Sequence, residues 1–199
     1  MIPQKAMRIG WLSLFLLIVA AGPAFPDPIP GKMALAEARQ ALNHGWSTPT
    51  SNPLPGKPPA ELNRPGAVFV TLLRNGRVRG CAGSFESLFP DLRQEIAHFT
   101  RVAAWQDPRY RPVGPEEAAG ITIILTFPQD LEAIDSLDRY RPDRDGLVVR
   151  QSGRSGVVLP GEARTVEYAF RKCLRNAGLP PEARPQLYRF QAIQYRETK

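Results

Sequence analysis

The sequence predicts an α+β fold, a mostly antiparallel sheet with covering helices in one domain, and three observations predict it. Runs of β-branched and aromatic residues flank polar turns at residues 67–81 and 147–159, as in hairpins. Apolar residues recur at helical spacing over residues 33–44, 88–104 and 165–177. These elements do not alternate in the βαβ order that a parallel sheet needs. The 199 residues, 43% hydrophobic and 23% charged, suffice for one sizeable core, so a single domain is expected.

The chain opens with a segment that is not part of that fold. Lys5 and Arg8 precede an apolar stretch from Trp11 to Ala21, and Gly22-Pro23-Ala24 follows with small residues. This is the pattern of an export leader, expected to be cleaved after Ala24, with residues 25–33 as a linker and residues 34–197 as the domain. The apolar run ends at Gly22-Pro23, short of the roughly 20 residues that span a bilayer, so membrane attachment is expected only through an uncleaved leader. The expected location is the periplasm or the exterior.

Residues 33–44 place Ala34, Leu35, Ala38, Ala41 and Leu42 on one helical face, and Gly45 ends the helix. Residues 47–65 hold six prolines and read as an extended connection over the surface. Strand 67–73 runs into Asn75-Gly76, the dipeptide that a two-residue hairpin turn favours because both positions tolerate positive φ. The return strand is 77–81. A period of two sends Arg77, Arg79 and Cys81 to one face, Val78 and Gly80 to the other. A helix over 88–104 carries the stripe Leu88, Leu92, Ile96, Phe99 and Ala103, and Asp107-Pro108 closes it. Residues 121–127 form the sheet's buried middle strand. Residues 147–149 and 157–159 make a second hairpin, with 152–156 as a longer loop. The helix over 165–177 stops at Gly178 with Pro180 beyond it, and 187–195 alternates as a final strand.

Charge argues against one class of function. The formal net charge is +7, falling to +5 once Lys5 and Arg8 leave with the leader, but basic and acidic residues are interspersed and no run of like charges appears. A solvated mixed surface is therefore expected, and no nucleic-acid partner. No phosphate-loop, dinucleotide or nucleophile-elbow motif occurs, and no cofactor is specified. Glu95 and His98 sit three apart on one helical face, half of a carboxylate–histidine metal motif whose second half is missing. Two histidines in the whole chain make a histidine-based metal site improbable, so no metal is expected; His98 is kept as a proton-transfer and binding candidate.

Arg79-Gly80-Cys81-Ala82-Gly83-Ser84 is the one place where a reactive side chain lies among glycines. Arg77 and Arg79 are expected to favour the thiolate of Cys81. The glycines have two readings: a backbone that approaches a ligand closely, or two backbones that pack closely around a small buried cysteine. The even cysteine count leaves a Cys81–Cys173 bridge open, although a domain of this size folds without one.

Six segments in order resemble one family. They are Gly66 to Leu72, Val78-Arg79-Gly80-Cys81-Ala82-Gly83, Asp107-Pro108-Arg109-Tyr110-Arg111-Pro112, Gly146-Leu147-Val148-Val149, Gly153 to Pro160, and Asn176-Ala177-Gly178-Leu179-Pro180. They are similar to the motifs of the AMMECR-one domain family, whose hallmark is Leu-Arg-Gly-Cys-Ile-Gly; here Ala82 replaces the isoleucine. The resemblance implies an α+β fold with two subdomains and a cleft faced by Arg79 to Gly83. It also implies partners among Memo-type and radical S-adenosylmethionine proteins of a shared pathway. Cys81 is the catalytic candidate, with Arg79, Gly80, Ala82, Gly83 and Ser84 beside it. His98, Asp107 and Arg109 complete the binding set. Two functions are consistent with these residues: a module that binds a small ligand or a partner protein in the cleft, and a Cys81-dependent enzyme.

Overall fold

The computed structural model describes residues 29–44, 54 and 56–198; the expected leader and residues 47–53 and 55 of the proline-rich connection lie outside them. Asn75 and Gly76 take φ of 52° and 74°, so the first hairpin turns as its sequence dictates, from β1 (Phe69–Arg74) into β2 (Arg77–Gly83). The second hairpin is tighter than the sequence suggests. Ser152 and Gly153, at φ 51° and 75°, alone connect β4 (Gly146–Gln151) to β5 (Arg154–Val158). The glycine and serine that read as loop at 155–156 continue the strand, because Arg150 and Val149 pair with them.

The hairpins join through two long strands, β3 (Ile121–Ile134) and β6 (Gln186–Arg196), into one antiparallel sheet ordered β2-β1-β3-β6-β4-β5. Strand β3 runs seven residues past Phe127, the end expected from its apolar run, and takes in Pro128. Strand β1 pairs only as far as Thr126, so beyond it β3 is paired on one side, where a proline is tolerated. A register irregularity between Gln129 and Glu132, with Asp130 at φ 49°, absorbs the bend.

Among the described residues, α-helices cover the outer face of this sheet. Helix α1 (Gly31–His44) begins two residues earlier than expected. Helix α2 (Leu92–Arg101) begins four residues later than expected, because the Asp91 carboxylate accepts from the amide of Gln94 and caps it there. Leu88 is left exposed. Helix α2 then widens into a π turn, Val102–Gln106. Helix α3 (Pro115–Ala118) is a single turn, and α4 (Val166–Ala177) is capped by Thr165 and ended by Gly178 at φ 64°. With α1 and α2, alternate residues of β1 and β3 bury one core that includes Val70, Leu72, Ile96, Ile123 and Leu125. With α4, β4 and β5 bury a second that includes Leu147, Val149, Val158 and Leu174. Two lobes thus share one sheet. No helix among the described residues is long and apolar enough to cross a membrane.

The inner face is concave and carries its own small core of Phe69, Val148, Leu159 and Phe190, with Cys81 and Phe85 packed against it. Phe69 pairs with Gly83 and Phe190 with Gly146. A Cβ at Gly83 would lie 2.4 Å from the Phe69 ring, and one at Gly146 would lie 2.1 Å from that of Phe190. Each ring therefore lies over a bare backbone, the aromatic rescue of a strand glycine. Both rings meet Phe85 edge-on, at 5.0 and 4.9 Å between centroids.

Gly80 faces the other way. Its missing Cβ would lie 2.0 Å from the carbonyl oxygen of Ala103 in the π turn. Of the two readings of the glycines, close packing of two backbones is the one Gly80 follows. Gly80→Ala is expected to destabilise the protein by about 2 kcal/mol or more, since backbone cannot yield as a side chain does. This is a drop of about 4 °C or more in Tm, read by thermal unfolding; an unchanged Tm would contradict this packing.

Candidate functional site

Strand β2 departs from a plain alternation. Leu72 stands opposite Gly80 and Leu73 opposite Val78, so Arg79 is an extra residue bulged from the ladder. The expectation that Arg79 shares a face with Cys81 fails for this reason, and Val78 lines the cleft beside Cys81 instead. The Arg79 guanidinium donates to Glu117 Oε2 at 2.8 Å and to the carbonyls of Arg111 and Pro112 at 2.7 and 3.1 Å. Glu117, buried, also meets Arg74 and Arg111 at 3.3 and 3.2 Å. Its hydrogen bond from Arg79, with the other guanidinium charges, holds its carboxyl below the ordinary range. Arg79 is thus a fastener between β2 and the loop that precedes α3.

Because β2 is an edge strand, its outward amides need partners from elsewhere. The loop after the π turn supplies one. Cys81 N donates to Asp107 Oδ2 at 2.9 Å, and Arg109 Nη2 donates to the Cys81 carbonyl at 3.1 Å. Asp107 in turn accepts from the Arg109 amide at 3.1 Å and from its guanidinium at 2.9 and 2.8 Å. Burial alone would raise the Asp107 carboxyl, but these bonds from Arg109 and Cys81 outweigh it and hold it below its ordinary value. Asp107 and Arg109 therefore seat the backbone of Cys81.

With its N–H turned outward, Cys81 forms a non-hydrogen-bonded pair with Thr71, the kind that brings side chains close. Thr71 Oγ1 donates to Cys81 Sγ at 3.4 Å. Burial, and then the carboxylate of Glu162, push the thiol up to about 11, against the weaker pull of Thr71 and Arg109. The expected thiolate is therefore not formed near neutral pH: Arg79 is spent on Glu117, and desolvation decides. Cys173 is buried in the second lobe, where its Sγ lies 3.3 Å from the Leu147 carbonyl, and both cysteines are free.

The outermost strands β2 and β5 share no ladder, yet both line the same clefts, so the sheet curls until its edges face each other. A cleft of about 230 Å³ is lined by Val78, Cys81, Ala82, Gly83, Arg109 and Tyr110 on one side, and by Ser155, Gly156 and Val157 on the other. Glu162, ion-paired to Lys172 at 3.0 Å, and Asn176 close its far wall. A larger cleft of about 630 Å³ adjoins it, with Phe69, Gly83, Ser155 and Val157 common to both. Ser84, Phe85, Arg150, Arg154, Arg184 and Gln186 line the larger one.

Of the residues singled out from sequence, Cys81, Ala82, Gly83, Ser84 and Arg109 therefore reach the clefts, with Asp107 beneath them. Gly80 and Arg79 serve packing. His98 lines neither cleft; its ring lies 5.0 Å from those of Phe89 and Phe99, and burial lowers its pKa. Glu95 is committed to the amides of Leu88 and Phe89 at 2.9 and 3.0 Å, so the two do not act together. Among the described residues no group of three or more His, Cys, Asp or Glu side chains gathers around a metal-sized space. Sequence reasoning missed Glu162, Lys172, Arg150 and Arg184, which come from the second lobe. No local signal marks them, since only the curl brings them to β2.

A profile of the AMMECR1 family matches residues 35–195. The chain is 36% identical to a protein of Thermotoga maritima over 146 residues, 69% of this chain and 82% of that one. It is 32% identical to a protein of Methanothermobacter thermautotrophicus over 182 residues, 84% and 94% of the two chains. The crystal structure of an uncharacterized Pyrococcus horikoshii protein superposes with a TM-score of 0.72 at 27% identity, covering 84% of this chain and 91% of that one. The chain belongs to the AMMECR1 family, and its α+β fold is that of the Pyrococcus protein.

The raised thiol has a direct consequence for reactivity. Iodoacetamide is expected to modify Cys81 of the native protein at least about tenfold more slowly than a free cysteine near neutral pH, with a rate still climbing above about pH 9. Mass spectrometry of Cys81 peptides follows this. A rate that levels off below about pH 8 would show an activated thiolate instead.

Proposed function

We propose that this AMMECR1-domain protein is a binding module whose cleft between β2 and β5 holds a small ligand or a segment of a partner protein. Cys81 contributes shape and a protonated thiol to it, not a covalent bond. The observation that carries the reading is the continuity of the two clefts along the seam where the curled sheet brings its edges together. Its larger part falls within the range of about 300–1,000 Å³ usual for small-molecule sites. The seam joins an apolar floor, Phe69 and Phe85, to polar walls from both lobes. Asp107 is occupied by Cys81 N and Arg109, and His98 is turned into other packing, so neither is placed to take the thiol proton. Memo-type and radical S-adenosylmethionine proteins are the partner classes in this reading, and the leader would bring the domain to them in an exported compartment.

One observation favours a second reading. The Glu162–Lys172 pair lines the same cleft as Cys81, so a ligand that separated the pair would free a carboxylate to serve as a base for the thiol. That is the route to a Cys81-dependent enzyme.

A fragment screen by thermal shift tests the two together. Ser155 is exposed and borders both clefts, so Ser155→Trp fills the seam without entering a core. The binding reading expects Cys81→Ser to keep the fragments' affinity and Ser155→Trp to lose about tenfold, or about 1.4 kcal/mol, or more. Fragments that bind Ser155→Trp as well as the parent would refute the seam as the site. Fragments found as Cys81 adducts by mass spectrometry would transfer the case to the second reading.

A further inference from the structure

We propose that the larger cleft selects small organic anions, taking a carboxylate or phosphate head against Arg150 and Arg184 and a flat apolar body against Phe69 and Phe85. This deepens the binding reading above and rests on it. The charge of the lining is the first observation. Arg150, Arg154 and Arg184 contribute to it, and no Asp or Glu does, although acidic and basic residues are mixed along the chain as a whole.

The second observation is how arginines are treated elsewhere. Arg39 meets Glu197, Arg93 meets Glu37, Arg79 shares Glu117 and Arg189 meets Glu132. Each of these four guanidinium groups, buried or half-buried, is matched by a carboxylate. Arg150, half-buried, is not. Its guanidinium lies 4.7 Å from the centre of the Tyr188 ring, a stacking that fixes the plane and leaves its N–H edge open. Arg154 is anchored by a 2.8 Å bond to the Gly178 carbonyl. Among the described residues neither they nor Arg184 makes an ion pair, so the cleft concentrates positive potential over a low-dielectric aromatic floor. A planar guanidinium fork suits the two oxygens of a carboxylate or phosphate.

Neutral donors extend the same preference. The Ser84 hydroxyl oxygen accepts from the Glu86 amide at 2.9 Å, which leaves its proton to give. Gln186 accepts from the Tyr188 hydroxyl at 3.2 Å through its carbonyl oxygen, which leaves its amide N–H groups for a ligand. The floor is apolar: the Phe69 and Phe85 rings meet at 5.0 Å in an edge-to-face pair. An anionic head and an aromatic or other flat body meet both halves of such a site.

The test compares 8-anilinonaphthalene-1-sulfonate with the neutral N-phenyl-1-naphthylamine by fluorescence titration of the parent and of Arg150→Gln/Arg184→Gln. The anion is expected to bind at least about tenfold more tightly than the neutral probe, and the double variant to remove most of that advantage while binding the neutral probe as before. Arg184 is exposed and makes no ion pair among the described residues, so Arg184→Gln alone, folded with parental Tm, gives part of the same loss. Displacement of the sulfonate by phenyl phosphate or benzoate, but not by benzyl alcohol, supports the inference, and the order of the two names the head group. Equal binding of both probes to parent and variant, or equal displacement by benzyl alcohol, overturns the anion selectivity and leaves the cleft reading intact. If neither probe binds, or if Ser155→Trp binds both as the parent does, the cleft reading falls and the anion inference with it.

Discussion

Two rings lying over two glycines set the shape on which the rest of this protein depends. Phe69 over Gly83 and Phe190 over Gly146 place large aromatic groups on the concave face without side chains beneath them. The pairs allow six strands to curl tightly, and Phe85 wedges edge-on between both rings to fill the hollow. Among the described residues, α-helices occupy the convex side, because the strands' alternation sends the longer aliphatic residues there. The outcome is a sheet whose two edge strands face each other across an open seam.

An open seam needs edges that do not drift or pair with other chains. On β2 this is met by the backbone bonds of Cys81 to Asp107 and Arg109, and by the bulged Arg79, which ties the strand to Glu117. Gly80 presses the same strand onto the π turn after α2. The Arg-Gly-Cys segment is therefore chiefly an edge held from three directions. Its glycines answer to backbone packing and to a ring, and its cysteine sits where burial keeps the proton on sulfur. Rigid edges of this kind suit recognition, since little ordering entropy is lost when a ligand enters.

Much of this was legible locally. Asn75-Gly76 specified its turn, Gly178 its helix end, and the apolar periods of β1, α4 and β6 their elements, because each depends on neighbours within a few residues. Where the reading missed, the cause was nonlocal except at the start of α2. The period of two assumes an unbroken ladder, so the bulge at Arg79 was invisible and put that side chain on the wrong face. Strand β3 was read only to Phe127, where its apolar run ends, because the pairing of its further residues with β6 could not be seen. Leu88 fitted the helical stripe, but the Asp91 cap takes precedence. The first wall of the site, Cys81 to Ser84 with Arg109, could be named from one segment and a resemblance. The second, Arg150, Ser155, Glu162 and Arg184, depends on the curl, and the curl depends on which aromatic residue pairs with which glycine.

We propose that the seam between β2 and β5 is where this protein binds. Amide chemical-shift mapping with an arylsulfonate, on isotopically labelled protein, tests it most directly. Binding in the seam shifts resonances of both edges and the concave floor, at Gly83 to Phe85 on one side, Arg150 and Ser155 on the other, and Phe69 between them. Shifts gathered instead on the outer faces of α1, α2 or α4, with the two edge strands unmoved, would contradict it.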